Sequence, residues 1–153
     1  MDKMIYNFRW IIENKLAGSS RPVMDEDLQW LKEQGIKAIV CLTELPMYQN
    51  DAAKMGLEYL HIPVEDFGRP SLEQIDQFVE YVDKMISMNK PVNAYCEAGL
   101  GRTGCMLAAY LVSKGFSPDG AINEVRKANK QSIHTDAQIE AVYEFATVKH
   151  SVP

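Results

Sequence analysis

The chain has 153 residues, 46% hydrophobic and 24% charged, and sixteen basic against twenty-one acidic side chains leave a net charge of −5. That length suits one domain, 1–153, around a shared core, and the apolar and aromatic content excludes a disordered chain. The longest apolar run, Cys105 to Val112, is far short of the ~20 residues of a membrane span, and an acidic balance offers no broad positive surface to nucleic acid or anionic lipid.

No apolar stretch follows Met1-Asp2-Lys3-Met4, so no secretory signal is expected. Three cysteines without paired spacing argue against a disulfide scaffold and for a reducing compartment. The expectation is a cytoplasmic monomer without nucleic-acid or membrane partners.

In chain order, short β-branched runs alternate with longer runs of helical period. This is the pattern of an α/β fold, a small twisted, mostly parallel sheet flanked by helices. Strands are predicted at Phe8 to Ile12, Leu16 to Gly18, Ile36 to Thr43, Glu58 to Ile62 and Val92 to Tyr95. The third and last are apolar runs of the kind buried mid-sheet. Asp25 is placed to cap a helix that carries Leu28 and Leu31 and stops at Gly35. Ser71 and Gln74 read as a capping box ahead of Leu72, Ile75, Val79, Val82 and Ile86. Thr103 to Lys114 is an apolar helix ended by Gly115. Ser117-Pro118 opens another, with Ala121, Ile122, Val125 and Ala128 on one face. The last runs from Thr135 to about Val148. No strand is predicted after Gly104, so whatever follows Val92 to Tyr95 sits at the carboxyl end of the final strand, where open α/β sheets place ligands.

That junction reads Cys96-Glu97-Ala98-Gly99-Leu100-Gly101-Arg102-Thr103-Gly104. Gly99, Gly101 and Gly104 have the spacing of a dinucleotide fingerprint, but that motif needs strands and an acidic residue downstream, where only helices are predicted. A Walker loop needs a lysine, and none is present. Taken with Cys96 and Arg102, the string has another use. Residues Glu97, Ala98, Gly99, Leu100, Gly101 and Arg102 can wrap into a nest of inward N–H groups, backed by a helix N-terminus, that binds a phosphate-sized dianion. Glycines allow the positive φ and close backbone approach this requires. Such surroundings favour a thiolate, Arg102 presents a planar fork to two phosphate oxygens, and Thr103 can donate its hydroxyl to the sulfur. An anion cradle around a soft nucleophile suits covalent phosphoryl transfer. Taken singly, each residue also has a plainer reading: a buried cysteine, a surface arginine, a tight turn before a helix.

The string resembles the Cys-x5-Arg-Ser/Thr loop of the protein tyrosine and dual-specificity phosphatases. Tyr6-Asn7-Phe8-x-Trp10, Leu16-Ala17-Gly18-Ser19, Ile39-Val40-Cys41-Leu42-Thr43-Glu44, Ile62-Pro63 and Ser132-Ile133-x-Thr135 are similar to landmarks of its small atypical members. The compact VHZ-like kind, which also occurs in archaea, is the nearest in pattern. The resemblance spans about residues 6–145. It implies hydrolysis of phosphate monoesters through a phosphocysteine, with Cys96 as nucleophile, Arg102 on the phosphate and no cofactor; with only His61, His134 and His150, and no ligand spacing among the cysteines, no metal site is expected.

The resemblance further implies a general acid on a mobile loop ahead of a proline. Glu65-Asp66-Phe67-Gly68-Arg69-Pro70 stands there, with Asp66 the best match, Glu65 the alternative and Gly68 a hinge. Gln138 matches the family's water-positioning glutamine, although Thr135-Asp136-Ala137-Gln138 also reads as a capping box. His134 stands where a close relative carries an acid. Tyr95 replaces the usual histidine before the nucleophile, which implies a pH–rate profile whose acidic limb lies above that of histidine-bearing relatives. Glu97 occupies a place where phosphatases of polyphosphoinositides or RNA triphosphates favour lysine, and argues against such substrates. The length leaves no room for the recognition loop of the large tyrosine-specific enzymes. A shallow pocket follows, open to phosphoproteins carrying phosphotyrosine or phosphoserine/phosphothreonine, with aryl phosphates turned over fastest. Some relatives protect the catalytic thiol with a second cysteine. Cys41 is the preferred candidate here over Cys105, against the commoner fate of plain burial. Two rival readings stay open: sulfur transfer of the rhodanese kind or arsenate reduction on a similar loop, and a non-catalytic phosphate-binding module.

Overall fold

Short apolar runs pair into one sheet in a computed structural model that describes residues 3–151. The elements follow in the order β1 (Arg9–Ile12), β2 (Leu16–Ser19), α1 (Asp25–Glu33), β3 (Ala38–Cys41), α2 (Gln49–Lys54), β4 (Glu58–His61), α3 (Leu72–Ser87), β5 (Val92–Tyr95), α4 (Gly101–Ser113), α5 (Pro118–Ala128) and α6 (Asp136–Ser151). The five strands lie in the order β1-β2-β5-β3-β4. Only the β1–β2 hairpin is antiparallel; β2, β5, β3 and β4 run parallel. The mostly parallel α/β sheet expected from the sequence is the architecture observed.

β5 occupies the middle of the sheet, and its register brings Ser19 and Cys41 level with Tyr95 on its two sides. Three strands therefore end together, and the chain leaves β5 at the centre of that edge. Alternation along the strands divides the core in two. Val92, Ala94 and Cys96 join Leu16, Val40 and Leu42 on the side covered by α3, α4, α5 and α6. Tyr95 joins Ala17, Ile39 and Cys41 on the other side, against Leu28 and Leu31 of α1. Every residue of α4 from Gly101 to Val112 is buried. A helix enclosed on all sides needs no polar face, which is why its sequence is an unbroken apolar run.

The predicted caps at Ser71 and Ser117 form. Ser71 Oγ accepts from the Gln74 amide at 3.1 Å while Gln74 Oε1 accepts from the Ser71 amide at 3.0 Å, and Ser117 Oγ accepts from the Gly120 amide at 3.0 Å. Three expectations need correction. The long run Ile36 to Thr43 pairs only over Ala38–Cys41, because its partners β4 and β5 are themselves four residues long. Ala128, at the end of α5, is exposed. Asp25 does not cap α1; it is the first helical residue, and Asp27 does the capping from within. The Asp27 carboxylate is fully buried. It accepts from the amides of Met4 (2.7 Å), Ile5 (3.2 Å), Val23 (2.7 Å) and Met24 (3.3 Å), tying the segment ahead of β1 to the start of α1. The short α2 carries no apolar period, and among its described side chains only Ala52 is buried.

Removing a carboxylate that serves four amides leaves buried donors unsatisfied. Asp27→Ala is expected to lower unfolding free energy by about 3 kcal/mol, and Asp25→Ala by less than about 0.5 kcal/mol. Urea denaturation measures both, and equal losses would return the cap to Asp25.

Candidate active site

Cys96 is the first residue beyond β5 and Arg102 the second residue of α4. The residues between them turn the chain from the sheet edge into the central helix. Their carbonyls are held from outside. Glu97 O accepts from the Arg21 amide (3.1 Å), Ala98 O from Asn7 Nδ2 (2.9 Å), Gly99 O from Arg9 Nη1 (2.6 Å), and Leu100 O from the amides of Gly104 and Ile133 (3.0 Å each). In a planar peptide the C=O and the next N–H point to opposite sides. Four successive outward carbonyls therefore place the amides of Ala98, Gly99, Leu100 and Gly101 on the inner side of the loop. Among the described residues, no amide from Glu97 to Arg102 donates to a protein acceptor. A loop with its amides turned inward has the form of a nest, an arrangement suited to an anion.

Gly99 makes this curvature possible. Its φ is +77°, and a Cβ there would lie 2.2 Å from the carbonyl carbon of Ser19. No side chain fits where the loop rests on the end of β2. Arg9 buttresses the same point, donating also to Asn7 O (2.9 Å) and Ser132 Oγ (3.3 Å). Burial pushes the Arg9 guanidinium down to about 10, an effect opposed by the neighbouring Cys96. Asn7 was legible in the sequence only as part of the Tyr6 to Trp10 landmark and Arg9 not at all, since each meets the loop only through the fold.

Arg102 is 3% exposed. Its Nη1 donates to Val64 O (2.8 Å) and to Glu44 Oε1 (3.0 Å), and its Nη2 lies 3.3 Å from Asp66 Oδ1. Glu44 also accepts from the Asp66 amide at 3.3 Å. Its own backbone amide, that of Asp66 and the Arg102 guanidinium hold the Glu44 carboxyl below its ordinary range. Glu44 was legible in the sequence only as the end of the Ile39 to Glu44 landmark.

A cavity of about 180 Å³ brings together Cys96, Arg102, Asp66, Gln138 and His134, with Glu97, Ala98 and Gly101 in its wall and Phe67 at its mouth. Both readings of Gln138 have a geometric basis. Thr135 Oγ1 accepts from the Gln138 amide (3.1 Å), and Gln138 Oε1 accepts from the amides of His134 (2.8 Å) and Thr135 (3.2 Å), which caps α6. Its Nε2 donates across to Gly68 O at 3.1 Å, on the loop that carries Asp66. The His134 ring is exposed and lies tilted beside Phe67. Glu65 is exposed and is not among the residues lining the cavity, so Asp66 is the acid the fold delivers there. Glu97 turns its carboxylate to Arg21 Nε, at 3.1 and 3.2 Å.

Cys41 departs from expectation, and the Thr103 hydroxyl is unpartnered. The Thr103 hydroxyl makes no bond to the Cys96 sulfur; Oγ1 is buried without a partner, while its methyl lies against Gly18, where a Cβ would come within 2.7 Å. Cys41 cannot be the oxidation partner of Cys96, because the two belong to the cores on opposite faces of the sheet. Its sulfur instead lies 3.1 Å from Thr43 Oγ1. Tyr95, in register with Cys41, likewise faces the α1 side, where burial, then Cys41, raises its hydroxyl far above the ordinary range. Ordering of the loop rests on Asn7, Arg9 and Arg21 and not on the residue before the cysteine. Cys105 shares the core of Cys96, but its thiol donates to Gln138 O at 3.3 Å and burial pushes it up to about 12. Among the described residues, no group of three or more His, Cys, Asp and Glu could hold a metal ion.

Two outcomes are expected. Gly99→Ala forces the loop off β2 and weakens binding of inorganic phosphate by roughly tenfold or more, read by calorimetric titration. Iodoacetamide at neutral pH modifies Cys96 alone, with phosphate protecting it, because Cys105 stays a protonated, enclosed thiol. Peptide mass mapping that finds Cys105 modified first would contradict this.

A family model described as Tc-R-P, "Polymorphic toxin system, DSP-PTPase phosphatase", matches residues 14–116. The phosphatidylglycerophosphate phosphatase PTPMT1 of Arabidopsis thaliana is 30% identical over 160 residues, 97% of this chain and 46% of that protein. The tyrosine-protein phosphatase CDC14 of Candida albicans is 25% identical over 74% of this chain and 21% of that protein. The chain thus spans half or less of the length of these curated relatives. The crystal structure of Tk-PTP in the active form aligns with a TM-score of 0.86 at 30% identity, covering 92% of this chain and 97% of that one. Among the described residues, no helix is long and apolar enough to cross a membrane. The chain belongs to the protein tyrosine and dual-specificity phosphatase family, among its small atypical members.

Proposed function

We propose that the chain hydrolyses phosphate monoesters through a phosphocysteine, acting on phosphotyrosine in proteins and fastest on aryl phosphates. The observation that carries this reading is the loop whose carbonyls are tied outward, with Cys96, Arg102 and Asp66 meeting in the cavity it encloses. The inner amides and the N-terminus of α4 bind the phosphoryl oxygens. The Arg102 guanidinium binds two of them, taking up the edge that Asp66 now holds at 3.3 Å and releasing that carboxyl group toward the leaving oxygen.

The Cys96 thiolate attacks phosphorus, the P–O bond to the substrate breaks, and Asp66 gives its proton to the departing phenolate or alkoxide. Asp66, now ionised, takes a proton from the water that attacks the phosphocysteine, which frees inorganic phosphate and the thiolate. One N–H of Gln138 Nε2 remains beyond its bond to Gly68 and can hold that water, since Oε1 is engaged by two amides. Thr103 Oγ1, buried and unpartnered, is the hydroxyl available to the sulfur as it departs. Sulfur transfer needs no such acid, which disfavours the rhodanese-like reading. The relative named for phosphatidylglycerophosphate marks phospholipid monoesters as the competing substrate class; Glu97 and Glu44 beside the cavity disfavour polyanionic headgroups.

Cys96→Ser is expected to abolish turnover of para-nitrophenyl phosphate, by about a thousandfold or more, yet retain phosphate binding. Asp66→Asn is expected to lower kcat by about a hundredfold on alkyl phosphates and much less on para-nitrophenyl phosphate, whose leaving group needs little protonation. Residual turnover by the serine variant, or an Asp66 effect blind to the leaving group, would overturn the mechanism. A wild-type chain that binds phosphate without turnover is the binding module.

A further inference from the structure

Beside the phosphate cavity, and sharing Glu97 with it, lies a larger hollow of about 660 Å³. That volume falls in the range of about 300–1,000 Å³ usual for built ligand sites. One wall is the turn after β2, with Arg21 and Val23; the other is the segment after β3, with Glu44, Leu45 and Tyr48, leading to Asp51 in α2. Leu45 is 80% exposed, Tyr48 83% and Val23 53%. Isolated apolar residues on a surface are ordinary, but three lining one hollow that opens beside a catalytic cavity form a contact surface.

The charge of the hollow is one-sided. Glu44, Asp51 and Glu97 face a single base, Arg21. Arg21 is engaged with Glu97 (3.1 Å) and Glu44 with Arg102 (3.0 Å). The Asp51 carboxylate has no ionic or hydrogen-bonding partner among the described residues. Such a place repels the anionic headgroups of a lipid surface and attracts a cation.

We infer that this hollow recognises the polypeptide next to the phosphorylated residue. It selects a basic side chain against Asp51 and an apolar one between Val23, Leu45 and Tyr48. The inference rests on the phosphatase reading, and names which phosphoproteins that reading favours.

The test uses the full chain and phosphotyrosine peptides with either Arg and Leu or Glu and Ser around the phosphorylated residue, beside para-nitrophenyl phosphate and a short-chain phosphatidylglycerophosphate. The basic, apolar peptide is expected to show a kcat/KM about fivefold or more above the acidic one, mainly through KM. Asp51→Lys should erase or reverse that ratio, and the double variant Leu45→Ala, Tyr48→Ala should lower kcat/KM on the peptide by about tenfold. Both variants should leave para-nitrophenyl phosphate turnover unchanged. Equal rates on the two peptides, variants that act alike on peptide and aryl phosphate, or preference for the phospholipid would each overturn the inference. Affinities of the same peptides for Cys96→Ser give the ratio independently of turnover, so an inactive wild type indicts the phosphatase reading and leaves this one measurable.

Discussion

The site depends on where four carbonyl groups point. A loop of this length between a strand and a helix would ordinarily close on itself, with its amides consumed by its own turns. Here Asn7, Arg9, Arg21 and Ile133 take the carbonyls of Glu97, Ala98, Gly99 and Leu100 from outside. The amides are left facing a common centre, without a protein acceptor among the described residues. Donors aligned in advance need no rearrangement when charge develops beside them. The surrounding fold supplies the means: β2 beneath Gly99, the hairpin that carries Arg9, and a central helix fully enclosed by its neighbours.

A second layer of contacts ties the loop that carries Asp66 to this frame. Arg102 touches Val64, Glu44 and Asp66 together, so one guanidinium links the end of β3 to the loop holding the acid. Gln138 bridges from the start of α6 to Gly68 on that same loop. The acid loop is thus tethered from both sides of the cavity. Asp66 is itself fixed by a bond from the Phe67 amide at 3.0 Å, at a residue whose φ is +60°. Non-glycine residues seldom hold that conformation, and where they do a local constraint enforces it.

The sequence made the motif-bearing core legible. The buried strands, the enclosed helix and the caps at Ser71 and Ser117 follow from apolar period and capping chemistry, and both were readable. Cys96 and Arg102 were legible because their types and spacing fit one chemistry, and Asp66 was legible through the family resemblance. What could not be read depends on tertiary closure. Asn7 reaches Ala98 across ninety-one positions, and no local pattern announces such a bond. The side of the sheet on which Cys41 lies follows from its register with Tyr95, and register is a property of paired strands, not of either alone. Asp27 was missed because a carboxylate inside the first turn can reach back to the amides before the helix as well as one placed ahead of it. The short α2 lacked period altogether. Thr103 was rightly placed at the helix start, but packing against Gly18 decides where its hydroxyl points.

The N-terminal hairpin is therefore more than a sheet margin. A shortened polypeptide beginning at Glu13 would keep every parallel strand, the complete Cys-x5-Arg string and the acid loop. It would lack Asn7 and Arg9, and with them the anchors of the carbonyls of Ala98 and Gly99. Such a fragment retains the full list of reactive groups and loses the curvature that makes them a site.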